Sequence, residues 1–99
     1  MTAVSQQLGD GRSINGLCEP GYEGVLAAIR ANFERHDEIG ASVCLTHRGK
    51  SVVDLWGGLK DPETSTEWER DTVSVVYSCT KGATALCAHI LADQGKLGV

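Results

Sequence analysis

Ser78 and Lys81 stand three residues apart in the run Ser78-Cys79-Thr80-Lys81. On a helix that spacing puts both on one face, one turn apart, with Cβ atoms about 5–6 Å from each other. A lysine amine then reaches a serine hydroxyl. The chemistry this allows is nucleophilic, because a serine hydroxyl attacks a carbonyl only when a neighbouring base takes its proton. A lysine serves as that base when burial or nearby positive charge lowers its pKa towards neutrality. A helix start adds free N–H groups and the positive end of the helix dipole, both of which stabilise an oxyanion, and the N–H of Ser78 is the natural first donor. The spacing alone is a weak signal. Seven serines and four lysines produce about 0.3 such matches by chance at this composition. A serine that caps a helix, followed by a solvated lysine, has the same four letters.

Other reactive residue types form no comparable pattern. Cys18, Cys44, Cys79 and Cys87 contain no C-x-x-C pair, and His36, His47 and His89 are far apart. No zinc-site spacing results, and the reading is reduced thiols with no metal and no organic cofactor. Cys79 adjoins Ser78 but is turned about 100° around the helix, towards the packing side. Trp56 and Trp68 are read as a strand-end residue and a loop anchor, ahead of cleft-lining roles. Asp54 and Asp93 are read as a strand-face charge and a late-helix charge. Gly57-Gly58 lacks the strand-to-helix setting of a phosphate loop.

The elements that position Ser78 and Lys81 follow from periodicity. Residues 1–19, with Gly9, Gly11 and Gly16 among polar neighbours, read as an extended or loosely ordered lead-in. Pro20 suits a first helical turn. Tyr22, Val25, Leu26, Ile29 and Phe33 then follow one helix face, so a helix is predicted over 20–39 with Gly40 as its stop. Residues 41–58 read as a β-hairpin, turning at Arg48-Gly49-Lys50 and ending at Gly57-Gly58. Residues 59–77 are a polar excursion that Trp68 pins, closing with the apolar approach Val73, Val75 and Val76. A helix is predicted over 78–94, with Ala83, Leu86, Cys87, Ile90 and Leu91 as its stripe and Gly95 just past its end.

Composition bounds the rest. Ninety-nine residues allow one domain at most. Such a chain buries only about 60–65% of its unfolded surface, too little for a large cleft. Apolar residues are 41%, charged residues 22%, and the net charge is −4 with both signs interleaved, which argues against a nucleic-acid partner. No apolar run approaches the ~18 residues of a membrane span. The polar start at 1–10 lacks the basic and apolar regions of a signal peptide, so a cytoplasmic protein is expected. The chain stops after Lys96-Leu97-Gly98-Val99 without a closing element, so a fragment is expected. Alone it should be poorly folded, or associate through the hairpin edge.

Longer phrases carry a family resemblance. They are Gly40-Ala41-Ser42-Val43-Cys44-Leu45, Arg48-Gly49-Lys50-Ser51-Val52-Val53-Asp54-Leu55-Trp56-Gly57-Gly58, Thr72-Val73-Ser74-Val75-Val76-Tyr77-Ser78-Cys79-Thr80-Lys81-Gly82 and Ala92-Asp93-Gln94-Gly95-Lys96-Leu97. Together they resemble the serine β-lactamase and penicillin-binding protein superfamily, and more closely its family VIII carboxylesterases, over residues 20–99. The resemblance implies an α/β fold of the β-lactamase type: an antiparallel sheet flanked by helices plus a helical subdomain, with only its N-terminal part in this chain. It implies Ser78 as acyl-accepting nucleophile and Lys81 as its activator. The family also needs a Tyr-x-Asn or Ser-based second motif and a Lys-Thr-Gly or His-x-Gly third motif. Neither is among these residues, so both would lie beyond Val99, and the isolated chain is expected to be inactive. The implied activity is ester hydrolysis through an acyl-enzyme. The alternatives are β-lactam or D-amino-acid peptide hydrolysis, or a non-catalytic interaction module in which Ser78 only caps a helix. The implied partners are a small ester or lactam and the rest of its own chain, with no membrane, and an oligomer is compatible.

Overall fold

Two strands open the chain where a loose lead-in was expected. The computed structural model describes residues 2–98. In it β1 (Thr2–Gln7) and β2 (Ser13–Cys18) form an antiparallel hairpin. Alternation explains the correction. Val4 and Leu8 turn inwards, while Ala3, Ser5 and Gln7 face solvent, which is how an edge strand tolerates a polar sequence. Gly9 to Gly11 make the turn, closed by the Leu8 N–H donating to the Arg12 carbonyl at 2.7 Å. Gly16 is not a loop residue at all. It sits inside β2 at φ +136°, where a Cβ would collide with the Asp54 carbonyl on the next strand.

The predicted first helix is real but shorter. α1 spans Glu23–Arg35. Pro20 and Gly21 form a turn closed by the Tyr22 N–H on the Glu19 carbonyl at 3.1 Å, so proline precedes the helix and does not open it. Asp37, at φ +56°, turns the chain out of the helix before Gly40 is reached, and Gly40 begins the next strand. The expected stripe faces the sheet: Phe33 is buried, and Tyr22, Val25, Leu26 and Ile29 pack against the core.

β3 (Gly40–His47) and β4 (Lys50–Asp61) form the predicted hairpin. Its turn, Arg48-Gly49, has φ of +53° and +77°, the double positive φ that matches strand twist in two-residue hairpins. Gly57-Gly58 does not end β4, which runs three residues further. At Gly58, φ +76°, a side chain would strike the Ile39 carbonyl and the Phe33 ring. Glycine there lets the strand bend past α1. A register shift at Leu45/Thr46 leaves Val52 as an extra residue, so Val52 and its neighbour Val53 are both buried. The sheet order is β1-β2-β4-β3, with the short β5 (Thr66–Glu67) pairing with β4. Ile14, Cys18, Val53 and Leu55 form the centre of the core beneath α1.

Within the expected 59–77 excursion, Trp68 packs back over Gly40, and its backbone N–H donates to the Gly58 carbonyl at 3.0 Å. The chain then runs out along Val73, Val75 and Val76, all exposed. A 3₁₀ turn, Tyr77–Cys79, leads into α2 (Thr80–Asp93). α2 ends as expected at Gly95, φ +72°, where the Gly95 and Lys96 N–H groups return to the Ala92 and Leu91 carbonyls, the paired bonds of a Schellman stop.

Candidate active site

The approach to α2 is bent by one residue. Tyr77 has φ +43°, a left-handed backbone uncommon for a bulky residue, and its side chain is exposed. The bend converts the extended 72–76 segment into a helical start, and Ser78 is the next residue. The Cys79 N–H closes the turn on the Val76 carbonyl at 3.1 Å, and the Thr80 N–H reaches the Tyr77 and Ser78 carbonyls. Ser78 therefore stands in the 3₁₀ turn, two residues ahead of the α-helix proper. A residue in the first turn has no helical carbonyl for its own N–H, so that donor is available to an incoming oxygen.

Ser78 and Lys81 line one solvent-open depression, together with Tyr77, Thr80 and Thr84. Both sequence-predicted site residues are exposed. Among the described residues neither side chain makes an ion pair, and Ser78 and Lys81 are not hydrogen-bonded to each other. Thr84 lies one turn beyond Lys81. Its hydroxyl donates to the Thr80 carbonyl at 3.1 Å, which fixes that side chain. Two of these residues escaped the sequence reading. Thr84 had a usable signal, because it continues the three-residue spacing from Lys81. Tyr77 had none, since tyrosine does not announce a positive φ.

The remaining candidates fall elsewhere. Trp56 is half-buried on β4 and borders a shallow groove with Ile29, Asn32, Ala41, Ser42, Val43 and Leu55. Trp68 anchors the loop. Tyr22 hydrogen-bonds His47 Nδ1 at 3.1 Å, at the opposite end of the hairpin from Gly40. Cys18 is a buried thiol, while Cys44, Cys79 and Cys87 are exposed thiols. Cys79 was expected on a packing side; it stands in the 3₁₀ turn and is exposed. Among the described residues no three His, Cys, Asp or Glu side chains converge.

The family model described as Beta-lactamase matches residues 25–99. The esterase/beta-lactamase LipL of Mycobacterium tuberculosis (strain ATCC 25618 / H37Rv) is 34% identical over 85 residues, which are 86% of this chain and 20% of LipL. A family VIII carboxylesterase crystal structure superposes with a TM-score of 0.79 at 45% identity, covering 83% of this chain and 22% of that one. The chain thus spans about a fifth of the length of these relatives. The antiparallel sheet with its helices is the β-lactamase type of fold.

Proposed function

Because this chain belongs to the beta-lactamase family, whose members similar to it include esterases, we propose that it supplies the nucleophile and activating base of a serine carboxylesterase acting on small esters. Ser78 is the nucleophile and Lys81 the base. The Lys81 amine takes the Ser78 Oγ proton as Oγ bonds to the ester carbonyl carbon. The carbonyl π electrons move to oxygen, and the Ser78 N–H donates to that oxyanion. Collapse restores the carbonyl and breaks the bond to the alkoxide, which takes the proton back from the Lys81 ammonium and leaves as the alcohol. Water then cleaves the acyl-enzyme, releasing the acid and restoring Ser78.

One observation carries the reading. A serine at a helix start, behind a strained Tyr77, shares a single depression with a lysine one turn on. Non-glycine residues with positive φ are uncommon, and they cluster at functional sites. The approach is open to a small ester. No helix among the described residues is long and apolar enough to cross a membrane. The test is covalent. In the full-length folded protein a fluorophosphonate should label Ser78, and Ser78→Ala should abolish both labelling and ester hydrolysis. An unlabelled Ser78 would overturn the proposal and favour a non-catalytic module.

A second reading, β-lactam hydrolysis by the same Ser78 acylation, is supported by the double description of LipL as esterase and beta-lactamase. Turnover of a chromogenic cephalosporin, lost in Ser78→Ala, separates it from a strict esterase.

A further inference from the structure

Among the described residues β1 is a bare edge of the sheet. Its six residues, Thr2–Gln7, carry no charge and no proline. Its ladder with β2 runs without interruption from Thr2↔Cys18 to Gln7↔Ser13, whereas the β3–β4 and β4–β5 ladders both contain a register shift. Natural edge strands are normally blunted by lysine, proline or a bulge, because unpaired N–H and C=O groups recruit another strand. β1 has none of these devices.

The hydrogen-bond phase shows which groups are unpaired. Leu8 donates to Arg12 across the turn at 2.7 Å. Counting back by twos, Gln6, Val4 and Thr2 point their backbone groups at β2. Ala3, Ser5 and Gln7 therefore point theirs outwards. Arg30 Nη2 covers the Gln7 carbonyl at 3.2 Å, leaving that oxygen its second lone pair. Ser5 lies midway between Ala3 and Gln7, so the outward pattern is symmetric about it.

We propose that β1 pairs with β1 of a second copy of this protein, antiparallel, about a two-fold axis through Ser5. The axis stands perpendicular to the sheet. Ser5 then faces Ser5 of the second copy and exchanges both backbone hydrogen bonds with it, while Ala3 pairs with Gln7 at each end. A second copy fits this edge for a physical reason. An isologous seam places each residue opposite itself or its symmetry mate, so any charge at the centre would meet its like. The strand is uncharged, and Arg30, which reaches Gln6 and Gln7 at its end, is already paired with Glu34 at 2.8 Å. Six residues of edge bury less than the roughly 1,000 Å² of a stable interface. The dimer is accordingly reversible and concentration-dependent.

Sedimentation of the full-length protein from micromolar to near-millimolar concentration tests this. The wild type should shift from monomer to dimer. Ser5→Lys sets two ammonium groups opposite each other and should weaken the dimer at least about tenfold. Its dilute melting temperature should stay within about 2 °C, because an exposed edge lysine is harmless to the monomer. Ser5→Pro removes an outward N–H without breaking a β1–β2 bond and should act in the same direction. If the proline variant misfolds, the lysine variant decides. A wild type that remains monomeric throughout overturns the proposal, as it would if another part of the chain covered β1. A dimer that Ser5→Lys leaves intact also overturns it. Serine-probe labelling of Ser78 is independent of either result.

Discussion

Lys81 occupies a position where its charge has no structural partner among the described residues. Its removal is expected to act on chemistry. In the proposed mechanism it takes the Ser78 proton, and positioned proton transfer is worth about 10²–10⁴ in rate. Lys81→Ala in the full-length protein should lower kcat/KM for a p-nitrophenyl ester by that range with an unchanged melting temperature. Undiminished turnover would remove Lys81 from the mechanism. The pair was legible at this scale because one-turn spacing follows from helix geometry. Tyr77 was not. Its φ of +43° leaves no mark on residue type.

Gly16 shows how an element can hide in plain composition. Three glycines and several polar residues over 1–19 read as loose chain, yet Gly16 is held inside β2 because the Asp54 backbone passes where its Cβ would be. At φ +136° the backbone lies in a region nearly restricted to glycine. Gly16→Ala should destabilise the protein by about 3 kcal/mol, the upper end of the range for such strain, because the clash with Asp54 adds to it. Urea denaturation checks this; a loss below about 0.5 kcal/mol, the ordinary range for surface changes, would mean that β2 does not pair as described. The hairpin 40–61 was easier to read, because its turn residues and alternating valines and leucines both state the period. Its extra length past Gly57-Gly58 was not legible, since glycine marks a strand end and a strand bend alike.

At the scale of the whole molecule, the radius of gyration is 17.0 Å, against about 13 Å for a compact chain of this length. The excess comes from α2 and the segment before it. Thr80–Asp93 carries two charges, Lys81 and Asp93, and otherwise small or apolar residues plus His89. Such a helix is built for an interior, yet Leu86, Ile90 and Leu91 are exposed. The sheet body is held differently. Arg12 joins three pieces of it, stacking 5.2 Å from the Phe33 ring and donating to the Phe33, Glu38 and Ile39 carbonyls. Asp10 steers that guanidinium through a 2.6 Å ion pair. The hydrogen bonds from Arg12 hold the Asp10 carboxyl below its ordinary value of 3.8. A depressed acid stabilises the fold above its unfolded pKa and loses that contribution as pH falls through the folded one. The wild type should thus be more stable than Asp10→Asn at neutral pH, with the gap closing only below pH ~4. A gap in denaturation midpoint that persists unchanged at pH ~2 would show that the Asp10 charge is not its source.

The sequence by itself determined the helix stripe of α1, a hairpin turn beginning at Arg48, the stop of α2 at Gly95 and the shared face of Ser78 and Lys81. Each depends on local spacing, and local spacing is written in residue order. Only the tertiary structure decided that residues 2–18 are strands, that Gly16 and Gly58 yield to passing backbone, and that Arg12 pins α1. Those outcomes depend on which distant segments come to lie side by side. No residue carries that information until its neighbour across the sheet is in place.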